Sequence, residues 1–99
     1  MVCIINSQYD LGGYIASVFA GRYSKPVFCI NFGLPTEWIK ITGRAPENTN
    51  IDVGQVLREC FNGGGHRNAG SAGVEKGASK EFIISRIVGY IRSLQGELM

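Results

Sequence analysis

The chain has 99 residues, 44% of them hydrophobic, and a formal net charge of only +2. Those values fit one compact domain and exclude a strongly basic nucleic-acid scaffold, so any grip on phosphate has to come from a local patch. No apolar run approaches the ~20 residues of a membrane span, and the N-terminus lacks a basic segment followed by an apolar stretch and a cleavage site, so no membrane partner and a cytoplasmic location are expected. Cys3, Cys29 and Cys60 are odd in number and widely spaced, as suits reduced, buried thiols. No Cys-x-x-Cys pair supports a zinc site shared with His66.

In chain order, Val2-Cys3-Ile4-Ile5 is a short apolar run that reads as a central strand buried on both faces. A central strand directly after Met1 suggests a piece of a longer chain. Asp10 is placed to cap a helix whose stripe is Leu11, Tyr14, Ile15, Val18 and Phe19. Gly12 and Gly13 weaken its first turn but permit close approach of another backbone. Val27-Phe28-Cys29-Ile30 is a second strand, Gly33 to Thr36 a turn, and Trp38 to Thr42 a third strand. Ala45 to Asn50 is a polar loop. Asp52 and Gln55 resemble a capping box for a helix carrying Val53, Val56, Leu57 and Cys60.

A glycine-rich loop, Gly63-Gly64-Gly65-His66-Arg67-Asn68, follows that helix, and Ser71 to Val74 is a last short strand. Ser79 caps the final helix, whose stripe is Ile83, Ile87, Ile91 and Leu94, widened by Ile84 and Val88. The tail from Gly96 to Met99 is expected to fray. The order β-α-β-β-α-β-α predicts a single α/β domain: a mixed sheet of about four strands with three helices, opening on a parallel crossover and then a hairpin.

The chemistry available is limited. A two-metal hydrolase needs several carboxylates and histidines around its ions, and the chain has two aspartates and one histidine. A Ser-His-Asp arrangement lacks a Gly-x-Ser-x-Gly elbow, and the glycine run satisfies neither phosphate-loop nor dinucleotide spacing. What the run does offer is backbone N–H groups open to an anion, beside a titratable imidazole, a guanidinium and an amide. Arg67 and Asn68 serve a ligand or satisfy nearby carbonyls, and Gly64→Val is expected to be damaging, because a β-branched residue does not readily adopt positive φ and would obstruct the N–H groups. Trp38 and the tyrosines offer stacking surfaces, with core packing or an interface as the other use of Trp38.

Gly63 to Asn68 resembles the glycine-rich His signature of the DHH-associated domain, first subfamily. Asp52-Val53 opening a short helix, Thr42-Gly43-Arg44-Ala45 in the place of a Ser-Leu-Arg-Ser strand end, and the strand-helix-strand start are similar too. The chain departs from the family at Asn62, where members often have another glycine, and at Gly43 and Ala45 beside the arginine. The resemblance implies a substrate-binding domain spanning 1–99, the C-terminal part of a DHH-type phosphoesterase. Arg44, Gly63, Gly64, Gly65, His66, Arg67 and Asn68 would hold a nucleotide, short oligonucleotide or cyclic dinucleotide. It also implies that catalysis and manganese reside in a separate DHH catalytic domain and that this chain alone is inactive. A homodimer is the expectation of a separate reading, in which the domain is purely structural or dimerising. The alternative is a stand-alone RNA-binding module like the terminal domain of alanyl-tRNA synthetases.

Overall fold

In the computed structural model, which describes residues 1–97, the chain runs β1 (Val2–Ile5), α1 (Gly12–Tyr23), β2 (Val27–Asn31), β3 (Trp38–Arg44), α2 (Val53–Phe61), β4 (Gly64–His66), β5 (Ala69–Glu75) and α3 (Lys80–Glu97). The strands form one mixed sheet in the order β1-β2-β3-β5-β4. β1 and β2 are parallel, as a strand-helix-strand crossover demands, and the other neighbours are antiparallel. The α/β class, the three helices and the crossover-then-hairpin opening agree with expectation. The fifth strand, β4, does not: it lies inside the segment read as a loop. Glycine has no intrinsic preference for a strand, so only pairing with β5 makes one here. Among the described residues no helix is long and apolar enough to cross a membrane.

Two apolar cores flank the sheet. Phe28 and Ile30 of β2, Ile39 and Ile41 of β3, Val53, Val56 and Leu57 of α2, and Ile83 and Ile87 of α3 form the larger one. Val27 and Cys29 face the other way and meet Ala16 and Ala20 of α1. β2 is therefore buried along its whole length. Each large apolar side chain so buried contributes about 1.5–3 kcal/mol relative to exposure. The α3 stripe is as expected, with Ile83 and Ile87 buried and Ile91 and Leu94 half-buried. Ser79 caps α3 by accepting from the Phe82 N–H at 3.1 Å. The helix continues through Glu97, past the point where fraying was expected, and Leu98 and Met99 lie outside the described residues.

Three expectations are corrected near the N-terminus. β1 is an edge strand, with Ile4 45% exposed, because an apolar run does not reveal how many neighbours a strand has. Asp10 does not cap α1. The N-cap is Leu11, without a side-chain hydrogen bond, and Asp10 instead pairs with Lys40 at 2.7 Å. Of the expected stripe only Ile15 and Phe19 turn inward, while Leu11, Tyr14 and Val18 are exposed. The innermost positions are Gly12, Ala16 and Ala20, a small-residue row that lets α1 lie close on the sheet.

Asn31 fixes where α1 begins. Its buried amide oxygen accepts from the N–H groups of Ser7 (3.1 Å) and Gly33 (2.9 Å), and its Nδ2 donates to the Tyr9 carbonyl (3.1 Å). Gly33 is required in that bend, since a Cβ there would lie 2.4 Å from the Ser7 nitrogen.

Candidate functional site

Alternation along β3 divides its side chains between the two faces of the sheet. Ile39, Ile41 and Gly43 face α2 and α3, whereas Lys40, Thr42 and Arg44 face a side that only the first turns of α1 overhang. Register then builds the site. Arg44 lies opposite Ala69, and Ala69 opposite His66; Thr42 lies opposite Ser71, and Ser71 opposite Gly64. Two rows thus cross three strands over a floor of small residues. The result is an open cleft of about 570 Å³ lined by Asp10, Gly13, Tyr14, Ser17, Lys40, Thr42, Arg44 and Ala69 to Ser71.

The start of α1 fits this face because it has no side chains there. A Cβ on Gly12 would lie 3.0 Å from Thr42 Oγ1, and one on Gly13 would lie 2.8 Å from Arg44 Nη2. The glycine pair, expected to admit another backbone, instead admits the side chains of Thr42 and Arg44. Arg44 donates from Nη1 to its neighbour's carbonyl, Gly43 O, at 2.9 Å, which leaves the rest of the guanidinium edge facing the cleft.

The glycine run is a helix terminus followed by a hairpin. Asn62 ends α2 in the left-handed region (φ 59°), and Asn62 and Gly63 donate to Arg58 O and Leu57 O, both at 3.0 Å. Asparagine tolerates that conformation better than other side chains, which accounts for Asn62 at this helix end. Gly65 carries the unusual backbone, φ 138°, and a Cβ there would sit 2.4 Å from Ala69 O and Gly70 Cα. Gly64 has no positive φ, and its Cβ would meet nothing closer than Arg58 Nη1 at 3.9 Å. The sensitivity expected at Gly64 thus belongs to Gly65.

Arg67 and Asn68 form the hairpin turn and brace the loop beyond β3. Arg67 Nη2 donates to Thr49 O (2.8 Å), and Asn68 Nδ2 donates to Pro46 O (2.8 Å) and Ala45 O (3.3 Å). Their carbonyls accept from the N–H groups of Val53 (2.9 Å) and Ala45 (3.0 Å). Asp52 caps α2 through Gln55 N–H at 3.0 Å, but the Gln55 amide turns to Tyr90 Oη instead of completing the box. Of the seven residues singled out in sequence, the structure brings Arg44, Gly64 and His66 to one face. Gly65 pairs with Gly70 on the other face, against Gly54, and Gly63 lies beside Ala72. His66 is exposed and makes no hydrogen bond among the described residues.

Lys40, Thr42, Ser71 and Asp10 also line the cleft and are not among the seven residues singled out in sequence. For Lys40 and Thr42 a signal existed, the polar alternation that ends on Arg44, whereas Asp10 reaches the cleft only through the packing of α1. Trp38 is not in the core; it is half exposed at the far end of the same strand.

The cysteines are free thiols. Burial pushes Cys29 up to about 12, with the neighbouring Cys3 adding to the effect, and burial also raises Cys3 and Cys60. None is poised as a thiolate nucleophile near neutral pH. Among the described residues no three His, Cys, Asp or Glu side chains lie together to hold a metal ion.

The fold and cleft define a small α/β domain whose sheet is open and polar on one side. No protein-family model matches the chain, and no curated protein matches it in sequence. Solved structures do. An uncharacterized protein from Helicobacter pylori is similar over 93% of this chain (24% identity, TM-score 0.55). A pGpG-specific phosphodiesterase from Vibrio cholerae is similar over 73% (14% identity, TM-score 0.58). An exopolyphosphatase-related protein from Bacteroides fragilis is similar over 87% (24% identity, TM-score 0.60). At these identities the likeness is one of fold. This chain spans 25% to 26% of the length of those three proteins.

Proposed function

We propose that the chain is the nucleotide- or oligonucleotide-binding domain of a DHH-type phosphoesterase. It would hold a phosphate ester in the cleft while a separate catalytic domain cleaves it. The observation that carries this reading is the row Arg44–Ala69–His66 across an open sheet face. A guanidinium matches phosphate geometry with paired donors. His66 stands two strand spacings away, roughly 9–10 Å, within reach of a second part of the same ligand. Between them Ala69 and Ser71 leave room for a flat chain, and Tyr14, 73% exposed at the rim, offers a face on which a base can stack. On this reading Gly63, Gly65, Arg67 and Asn68 shape and brace the hairpin, and Gly64 lends its backbone to the floor. The fold shared with a phosphodiesterase and an exopolyphosphatase-related protein supports the assignment. Manganese, with its activation of water, would belong to the catalytic domain, since no cluster of ligands for it lies among the described residues.

Calorimetric titration of the chain with a short oligonucleotide and with a cyclic dinucleotide tests the reading. Binding should be measurable, weakened by Arg44→Ala whatever the base composition, and weakened by His66→Ala with the fold intact by circular dichroism. The purified chain should not hydrolyse either ligand with manganese added. Affinities unchanged in both variants would remove the site assignment.

A further inference from the structure

The start of α1 is an unfinished helix end. Its N-cap, Leu11, offers no side-chain acceptor, and the first turn contains no acidic residue. The first internal bond runs from Ile15 N–H to Leu11 O at 3.0 Å, which leaves the Gly12, Gly13 and Tyr14 amides without a helical acceptor. Aligned peptide dipoles give such an end partial positive charge.

A second, independent feature points to the same place. Thr42 is only 4% exposed, yet its hydroxyl makes no hydrogen bond with any described residue. No sealed polar side-chain atom among the described residues lacks a partner, so this hydroxyl opens on the cleft, where Gly12 passes over it. Buried hydroxyls are normally satisfied, and one left facing a cleft is a free donor for whatever enters. Lys40 stands two residues along the same face, held at 2.7 Å by the Asp10 carboxylate just before the helix.

We propose that the Gly12, Gly13 and Tyr14 amides, the Thr42 hydroxyl and Lys40 form a phosphate-binding subsite distinct from the glycine hairpin. The proposal rests on the reading of the cleft given above and adds a second anchoring point to it. Backbone amides at a helix start and a lysine read charge and carry no base identity, so the ligand is recognised here as a phosphate mono- or diester. Arg44 lies on the far side of Thr42 from Lys40, between this subsite and His66. A ligand crossing the sheet is thereby gripped at both ends. Asp10 restrains the subsite, because its carboxylate both occupies Lys40 and repels an entering anion.

The test is an amide-resolved NMR titration of the full chain with inorganic phosphate at constant ionic strength, repeated with the short oligonucleotide. The largest shifts should fall on Gly12, Gly13, Tyr14 and Thr42. Lys40→Gln and Thr42→Val should each weaken phosphate binding roughly three- to tenfold, and Asp10→Asn should tighten it by a similar factor. All three changes preserve size, and Lys40 and Asp10 lie outside the core, so a loss cannot be ascribed to unfolding if the remaining spectrum is unchanged. Shifts confined to residues 64–68, or equal affinity in all variants, overturn the subsite. If they do so while oligonucleotide binding still requires Arg44, the proposed function stands without it. If neither probe moves any residue of the cleft, both readings fail.

Discussion

The two faces of β3 differ although they are built from one stretch of seven residues. On one face Ile39 and Ile41 are buried against α2 and α3. On the other, Lys40 and Arg44 flank Thr42 in a cleft that α1 only partly roofs. The buried face is specified by volume, and a missing methyl is felt directly. The open face is specified by donors, and removing one should alter binding while leaving the fold in place. The hairpin β4–β5 stands between the two. It contributes little apolar burial, yet its backbone has to be placed correctly for His66 and Ser71 to share a face with Arg44.

The comparison breaks most severely at Gly65. Gly65→Val combines a φ of 138° with a Cβ 2.4 Å from backbone atoms of β5, so the hairpin has to rearrange. Loss of roughly 4 kcal/mol or more is expected, read as a failure to fold or a collapsed midpoint in denaturant. Gly64→Val, one residue earlier, should be far milder, which makes the pair a direct test of where the strain lies. Ile41→Ala comes next, with about 2–5 kcal/mol lost in chemical denaturation from cavity formation. Ligand affinity in the folded fraction should stay unchanged, because the side chain faces away from the cleft.

Asn68→Ala should cost about 1–3 kcal/mol, since it leaves the Ala45 and Pro46 carbonyls without their side-chain donor. Thermal denaturation gives the loss, and oligonucleotide affinity should fall with it if the loop positions Arg44. Alkaline pH provides a gentler probe. Cys29 rises from an ordinary 9.0 to about 12 on folding because burial disfavours its thiolate. Its contribution to stability is complete below about pH 9 and declines as pH rises toward 12, because the unfolded thiol ionises first. Denaturation midpoints measured between pH 8 and 11 should fall less steeply in Cys29→Ala than in the parent chain. Smallest of all, His66→Ala should change stability by no more than about 0.5 kcal/mol, as expected of an exposed side chain with no hydrogen-bond partner among the described residues. A larger loss would show that the hairpin depends on this imidazole.

Much of the architecture was legible because local chemistry sufficed to specify it. The apolar runs of β2 and β3, the 3.6-residue spacing along α2 and α3, and the caps at Asp52 and Ser79 all act within a few residues of chain. The polar alternation Lys40–Thr42–Arg44 was equally local, and it marks the cleft side of β3. What sequence could not reveal depends on neighbours. β1 is an edge strand because the sheet order places nothing beyond it. Asp10 leaves the helix end for Lys40, a partner 30 residues away. The inward face of α1 is Gly12, Ala16 and Ala20 because the helix packs at close range on β2 and β3, and close packing favours the smallest side chains over the most apolar ones.

The glycine run shows the same division within six residues. Its composition alone indicated a backbone able to approach something closely, and its resemblance to a family signature indicated a ligand. Composition could not distinguish a loop from a strand, because glycine is neutral to both until a partner strand supplies hydrogen bonds. Pairing with β5 settled the question, placing Gly64 and His66 on the cleft face and turning Arg67 and Asn68 toward the 45–49 loop. Residue chemistry and short-range spacing were written in the sequence. Which donors share a face, and which are occupied in bracing one another, was decided only by strand register and the packing of α1.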